Sequence, residues 1–140
     1  MDFEIIEQEN SFKKFRLEPS SLLEGLTFLK NTPEHDFDRL NTIIAVDLQD
    51  KFELIYDLFS INTGNSCRVS ALLDRNTPHI SSAVEIYKSA YFDECEIYDM
   101  FGVKFDGNPN LKRLLMPKGW QGHPLRKDYE QSDERLVWNE

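Results

Sequence analysis

Three apolar-rich runs follow one another in the middle of the chain: "NTIIAVDL" (residues 41–48), "KFELIYDLFS" (51–60) and "SCRVSALL" (66–73), separated only by "QD" and "INTGN". The second run alternates Phe52, Leu54, Tyr56 and Leu58 against Glu53 and Asp57. The third alternates Cys67, Val69, Ala71 and Leu73 against Arg68 and Ser70. A period of two marks a strand with one face toward a core, and the β-branched first run suits the same role. Gaps this short and rich in turn residues admit hairpins, not the long crossover that parallel strands need. The runs predict an antiparallel meander on which the rest of the chain must pack.

Upstream, "FEIIEQ" and "FKKFRLE" read as two short strands separated by Glu9, Asn10 and Ser11. "PSSLLEGLTFLKN" (19–31) predicts a helix: Ser21 and Glu24 have capping-box spacing, Leu22, Leu23, Leu26 and Leu29 form one apolar face, and Pro33 marks the end. Downstream, "TPHISSAVEIYKSAY" (77–91) offers Thr77 as a cap, Pro78 at the first helical position, and Ile80, Val84 and Tyr87 on one side. It predicts a second helix on the sheet. "DECEIYDMFG" (93–102) predicts a short third helix, opened by a capping box from Asp93 to Glu96 and closed by Gly102 at the C-terminal cap.

From Val103 the pattern changes. Gly107, Pro109, Pro117, Gly119, Gly122 and Pro124 interrupt the chain every few residues, yet Leu111, Leu114, Leu115, Met116, Trp120, Leu125 and Tyr129 are side chains that proteins bury. Core-grade residues with no means of building a core predict contact with another surface. Charge points the same way. The chain carries −9, but from Lys104 to Tyr129 six cations (Lys104, Lys112, Arg113, Lys118, Arg126, Lys127) face two acids (Asp106, Asp128), leaving +4 there and −13 elsewhere. The expected organisation is a body over residues 1–103 and an extended partner-binding segment over 104–140.

The 140 residues suit one domain. No apolar run is long enough to cross a bilayer, and the acidic start "MDFEIIEQEN" does not resemble a secretory signal, so a cytoplasmic protein is expected. Cys67 and Cys95 lie far apart and predict idle, buried thiols rather than a disulfide, zinc or iron-sulfur site. The net negative charge argues against nucleic acid as a partner, although Lys112, Arg113, Arg126 and Lys127 with Trp120 leave an RNA-binding tail as a rival reading.

The acids Asp93, Glu94, Glu96 and Asp99 have the composition of an acid–base or metal site, but cap and first-turn roles account for them more simply. His35, His79 and His123 are scattered, with no second ligand at helical metal-site spacing. A freestanding enzyme using His123 with the acidic cluster is a further alternative; hydrogen bonding that sets position is the favoured role for His123. No glycine-rich nucleotide loop is present. No catalytic residue, cofactor or metal is expected. If the tail is extended, Arg126 and Asp128 share a face while Lys127 and Tyr129 point the other way.

"DECEIYDMFGVKFDGNPNLKRLLMPKGWQGHPLRKDY", residues 93–129, resembles the signature of the subunit designated C in respiratory Complex I, an NADH:quinone oxidoreductase, and of its counterparts in membrane-bound energy-converting nickel-iron hydrogenases. The likeness extends upstream through "LNTIIAVDLQDKFELIYDLFS" and "PHISSAVEIYKSAYFDE", covering about residues 37–130. Cys95, Asn108 and Asn110 depart from the family's usual Arg, His and Asp. The resemblance implies a two-layer α+β fold, with helices on one face of a mixed, largely antiparallel sheet and an extended C-terminal tail. It also implies a non-catalytic, peripheral-arm subunit without a cofactor, attached indirectly to the cytoplasmic face of the cell membrane. The implied partners are a large quinone-site or hydrogenase-type subunit and neighbouring iron-sulfur subunits; the hydrogenase or a ferredoxin-linked relative is the alternative setting. The expected contacts are Asp99, Phe101, Asp106, Arg113, Trp120, His123, Leu125, Arg126, Lys127 and Tyr129, with Gly102, Gly107, Gly122 and Pro124 setting the backbone path.

Overall fold

The computed structural model describes residues 4–9, 12–109 and 123–127. The expected meander is the centre of a five-stranded sheet. β1 (Glu4–Glu9) and β2 (Phe12–Arg16) form an antiparallel pair, while β3 (Arg39–Asp47), β4 (Lys51–Phe59) and β5 (Ser66–Asp74) run antiparallel in succession. The order β1-β2-β5-β4-β3 places β2 alongside β5, and that pair is parallel. The sheet is therefore mixed and largely antiparallel, and its helices pack on one face, the predicted α+β architecture.

The alternation seen in the sequence defines that face. Phe52, Leu54, Tyr56 and Leu58 of β4 and Cys67, Val69, Ala71 and Leu73 of β5 are buried in one cluster with Leu22, Leu26 and Leu29 of α1 (Leu22–Asn31). Fully burying each such leucine contributes about 1.5–3 kcal/mol. Leu23, expected on the apolar stripe, is instead 37% exposed, because the buried stripe runs Leu22, Gly25, Leu26 and Leu29 at helical spacing. A 3-10 turn over Pro19–Ser21 precedes α1, and Ser21 makes no side-chain capping bond. Both cysteines are buried and neither is in a disulfide, and burial pushes the Cys67 thiol up to about 12.

The helix predicted over 77–91 does not form. In its place are β6 (His79–Ser81), a series of turns, and α2, which begins at Ala90 and runs to Phe101. The backbone donors that would continue a helix have other partners. Ser82 N–H bonds the Asp106 carbonyl at 2.7 Å, Ala83 N–H bonds the Glu94 carboxylate at 2.8 Å, and Val84 N–H bonds the Ser82 hydroxyl at 3.2 Å. β6 pairs in parallel with β7 (Lys104–Asp106), so Ile80 and Phe105 reach the core from adjacent strands. The expected boundary after Val103 falls just before this strand. α2 also lacks the capping box expected from Asp93 to Glu96, because Asp93 already lies in its first turn.

Instead, α2 covers the outer edge of β3. Ser89 Oγ donates to the Leu40 carbonyl at 3.2 Å, and Asp93 Oδ2 accepts from Ile43 N–H at 3.3 Å. An edge strand exposes a row of backbone groups that would otherwise recruit another strand. These two side chains occupy part of that row.

Candidate functional site

The C-terminal end of α2 is where the chain returns to itself. Gly102 ends the helix in the left-handed conformation, φ 81°, with its N–H on the Tyr98 carbonyl at 2.9 Å. A helix leaves its last four carbonyls without internal partners, and residues 123–127 supply two of the missing donors. His123 Nδ1 donates to the Asp99 carbonyl at 2.9 Å, and Leu125 N–H bonds the Met100 carbonyl at 2.9 Å. A carbonyl only accepts, so His123 carries its proton on Nδ1. Its ring lies so close to Gly102 that a Cβ there would stand 2.7 Å from His123 Cδ2. Position 102 thus excludes a side chain twice, by backbone conformation and by space.

Asp47, at the end of β3, makes the second attachment. Its carboxylate accepts Gln49 N–H within the hairpin turn at 2.8 Å and Lys127 N–H at 2.8 Å, and is held bidentately by Arg75, with Nη2 at 3.0 Å. The Arg75 guanidinium holds the Asp47 carboxyl well below the usual carboxylate range, against the opposing effect of burial. Opposite Asp47 in the ladder is Phe52. The Arg75 and Arg126 guanidinium carbons each lie 5.0 Å from its ring centroid, and Phe101 meets it edge-on at 6.2 Å. The ring quadrupole attracts both cations. A turn closed by Arg126 N–H to the His123 carbonyl at 3.1 Å gives the segment the shape to reach both attachments.

The acidic residues separate into distinct roles. Glu94 is fully buried and accepts from the Ser82 hydroxyl at 2.6 Å, Ala83 N–H at 2.8 Å and Asn108 Nδ2 at 2.9 Å. Burial pushes its carboxyl up, and these neutral donors offset only part of the shift. Asp93 bonds β3, Glu96 is exposed, and Asp99 is buried and offers its carbonyl to His123. The ring nitrogen that faces α2 is thus committed to a carbonyl rather than to a carboxylate that would orient a general base.

Of the residues singled out in sequence, Asp99, Phe101, Gly102, His123, Leu125, Arg126 and Lys127 come together at this junction, with Pro124 inside the turn. Asp106 lies apart on β7, where its carboxylate meets His79 Nδ1 at 2.8 Å, and Gly107 turns the chain beyond it with φ 89°. Arg113, Trp120, Gly122, Asp128 and Tyr129 lie outside the described residues, as does the expected pairing of Arg126 with Asp128. Residues 123–127 form turns rather than an extended strand. Asp47, Phe52 and Arg75 were not anticipated from sequence. Asn108, seen there only as a departure from a pattern, supplies a bond to buried Glu94.

Fold and site together define an α+β domain whose distinguishing feature is a C-terminal segment fastened to the end of a helix and to a hairpin. The model of the family "Respiratory-chain NADH dehydrogenase, 30 Kd subunit" matches residues 15–135, and the chain belongs to that family. It is 38% identical over 119 residues to the NADH-quinone oxidoreductase subunit designated C in Saccharopolyspora erythraea, covering 82% of this chain and 48% of that protein. It is 33% identical over 123 residues to the subunit of the same designation in a Roseiflexus species, covering 86% of this chain and 71% of that one. The chain thus spans about half the length of the first relative and 71% of the second. Its fold is similar to a chain of an archaeal respiratory membrane complex, the membrane-bound sulfane sulfur reductase. There the TM-score is 0.73 at 24% identity, over 91% of this chain and 77% of that one.

Proposed function

We propose that this chain is a non-catalytic, peripheral-arm subunit of a membrane-bound, proton-translocating NADH:quinone oxidoreductase, where it stabilises assembly with the quinone-site subunit. The observation that carries the reading is the junction. His123, Leu125 and Lys127 are bound through α2 and Asp47, which fastens to the body a stretch that in sequence lies among the cationic and apolar residues Arg113, Trp120 and Tyr129. A rigid origin lowers the entropy lost when such a segment engages a partner. The partner-binding role of residues 104–140, including Asp106, Gly107 and Gly122, belongs to this proposal. So does a peripheral place on the cytoplasmic face, held through the complex. No helix among the described residues is long and apolar enough to cross a membrane.

The test is purification of a tagged chain from membranes of its own cells in mild detergent, with the companions identified by mass spectrometry. A quinone-site subunit is the expected companion. A nickel-binding subunit in its place assigns the chain to a hydrogenase-type relative. Recovery of the chain alone, or turnover by the isolated chain, overturns the proposal.

A further inference from the structure

β3 is the last strand of its sheet, and the ladder register specifies which of its backbone groups face outward. Leu48 N–H bonds the Lys51 carbonyl at 2.9 Å where the hairpin closes. Counting back along the pairs, Val46 and Ile44 exchange hydrogen bonds with Glu53 and Ile55, while Asp47, Ala45 and Ile43 turn theirs away from β4. The bond from Ile43 N–H out to Asp93 obeys the same parity. Ser89 and Asp93 therefore cover the edge only as far as Ile43, and the outward groups of Ala45 are left without a strand or side-chain partner among the described residues.

Ala45 opens onto a groove of about 260 Å³ between β3 and α2. Ile97, Met100 and Leu125 form its apolar wall, and the carboxylates of Asp93 and Glu96 stand at its rim. Leu125 is bound through its backbone, yet the residue remains 56% exposed. Asp93 is half-buried, and the only donor that it meets among the described residues is the Ile43 amide, with no cation beside it. A helix in the groove would leave the Ala45 groups unsatisfied, since its own backbone is already bonded. A polyanion would meet two carboxylates. An extended cationic peptide satisfies every feature.

The geometry points to this groove as a strand-addition site: an extended segment of a neighbouring subunit, apolar at alternate positions and directing a lysine or arginine toward Asp93 and Glu96, pairs with Ala45 along the outer edge of β3. The inference rests on the reading of the chain as part of a larger complex and adds to it a second contact, separate from the cationic tail.

A photo-reactive residue placed at position 125 in the assembled complex tests it. Irradiation is expected to link the chain to a peptide of a neighbouring subunit that contains a lysine or arginine. Ala45→Pro removes an amide that the β3–β4 ladder does not use, and proline is tolerated where an edge amide faces outward. It should lower the adduct yield per chain by about tenfold, and Glu96→Lys should act in the same direction. If Ala45→Pro prevents accumulation of the chain, Glu96→Lys alone decides. Adducts to this chain or to a second copy of it, or yields unchanged by both substitutions, overturn the inference while leaving membership of the complex intact. A chain found in no complex overturns both.

Discussion

Gly102→Ala tests the junction where its geometry is tightest. Two costs follow from the structure. The left-handed backbone at φ 81° costs a residue with a Cβ about 1–2 kcal/mol. The new methyl would also lie 2.7 Å from His123 Cδ2, so the ring must move and forfeit its hydrogen bond to the Asp99 carbonyl, about 1 kcal/mol more. The sum is roughly 2–3 kcal/mol. With unfolding entropy near 2.1 cal/mol/K per residue over 140 residues, that corresponds to a fall in melting temperature of roughly 7–10 °C, measured by circular dichroism on the purified chain. The two costs separate in a double-mutant cycle. In a His123→Ala background the ring is gone, so Gly102→Ala should cost only the backbone part, leaving a coupling of about 1 kcal/mol. If the two substitutions prove additive within about 0.3 kcal/mol, residues 102 and 123 do not touch and the account of the junction fails.

Asp47→Asn should cost roughly 3–5 kcal/mol at neutral pH, because it removes the anion that Arg75 holds and leaves a largely buried cation uncompensated. Since the Asp47 carboxyl is depressed in the folded state, its contribution is present above the ordinary value of 3.8 and is lost as pH falls below it. The native chain should therefore shed melting temperature below about pH 4, and the variant should lack that increment of slope. Glu94 has the opposite sign: its folded-state value is raised above 4.5, so stability falls as pH rises through it. Glu94→Gln should gain on the native chain as pH rises above about 4.5, as read from paired thermal melts; a gap that stays constant with pH would mean that Glu94 does not contribute this dependence. Arg126→Glu should cost the isolated chain only about 1 kcal/mol through its contact with Phe52, yet reduce recovery of neighbouring subunits several-fold in a pull-down. Normal assembly of that variant would remove Arg126 from the contact surface.

The elements read correctly from sequence are those whose information is local. The alternation of β4 and β5 and the short gaps beside them required no knowledge of distant residues, and the glycine ending α2 has φ 81° as its position suggested. The failure at 77–91 shows the limit of periodicity. Ile80, Val84 and Tyr87 have helical spacing, but Ile80 is buried from a strand and Tyr87 donates its hydroxyl to the Phe37 carbonyl at 2.6 Å. What overrides the helix is β7, more than twenty residues downstream, together with a glutamate that takes the Ala83 amide.

The site divides along the same line. Residues 123–127 were marked by composition as a segment seeking a surface, and the surface that the structure describes for them belongs to their own chain. Lys127 and Asp47 stand 80 positions apart, and nothing in either neighbourhood announces the other. Local pattern determined the meander, Leu22, Leu26 and Leu29 as the buried leucines of α1 but not Leu23, the buried thiols and the family. Only the tertiary structure decided where the segment docks, that β6 displaces a helix, and which edge of the sheet remains open. Strand period and turn chemistry act between residues close in the chain, whereas docking depends on backbone groups left unsatisfied once the whole sheet and α2 are in place.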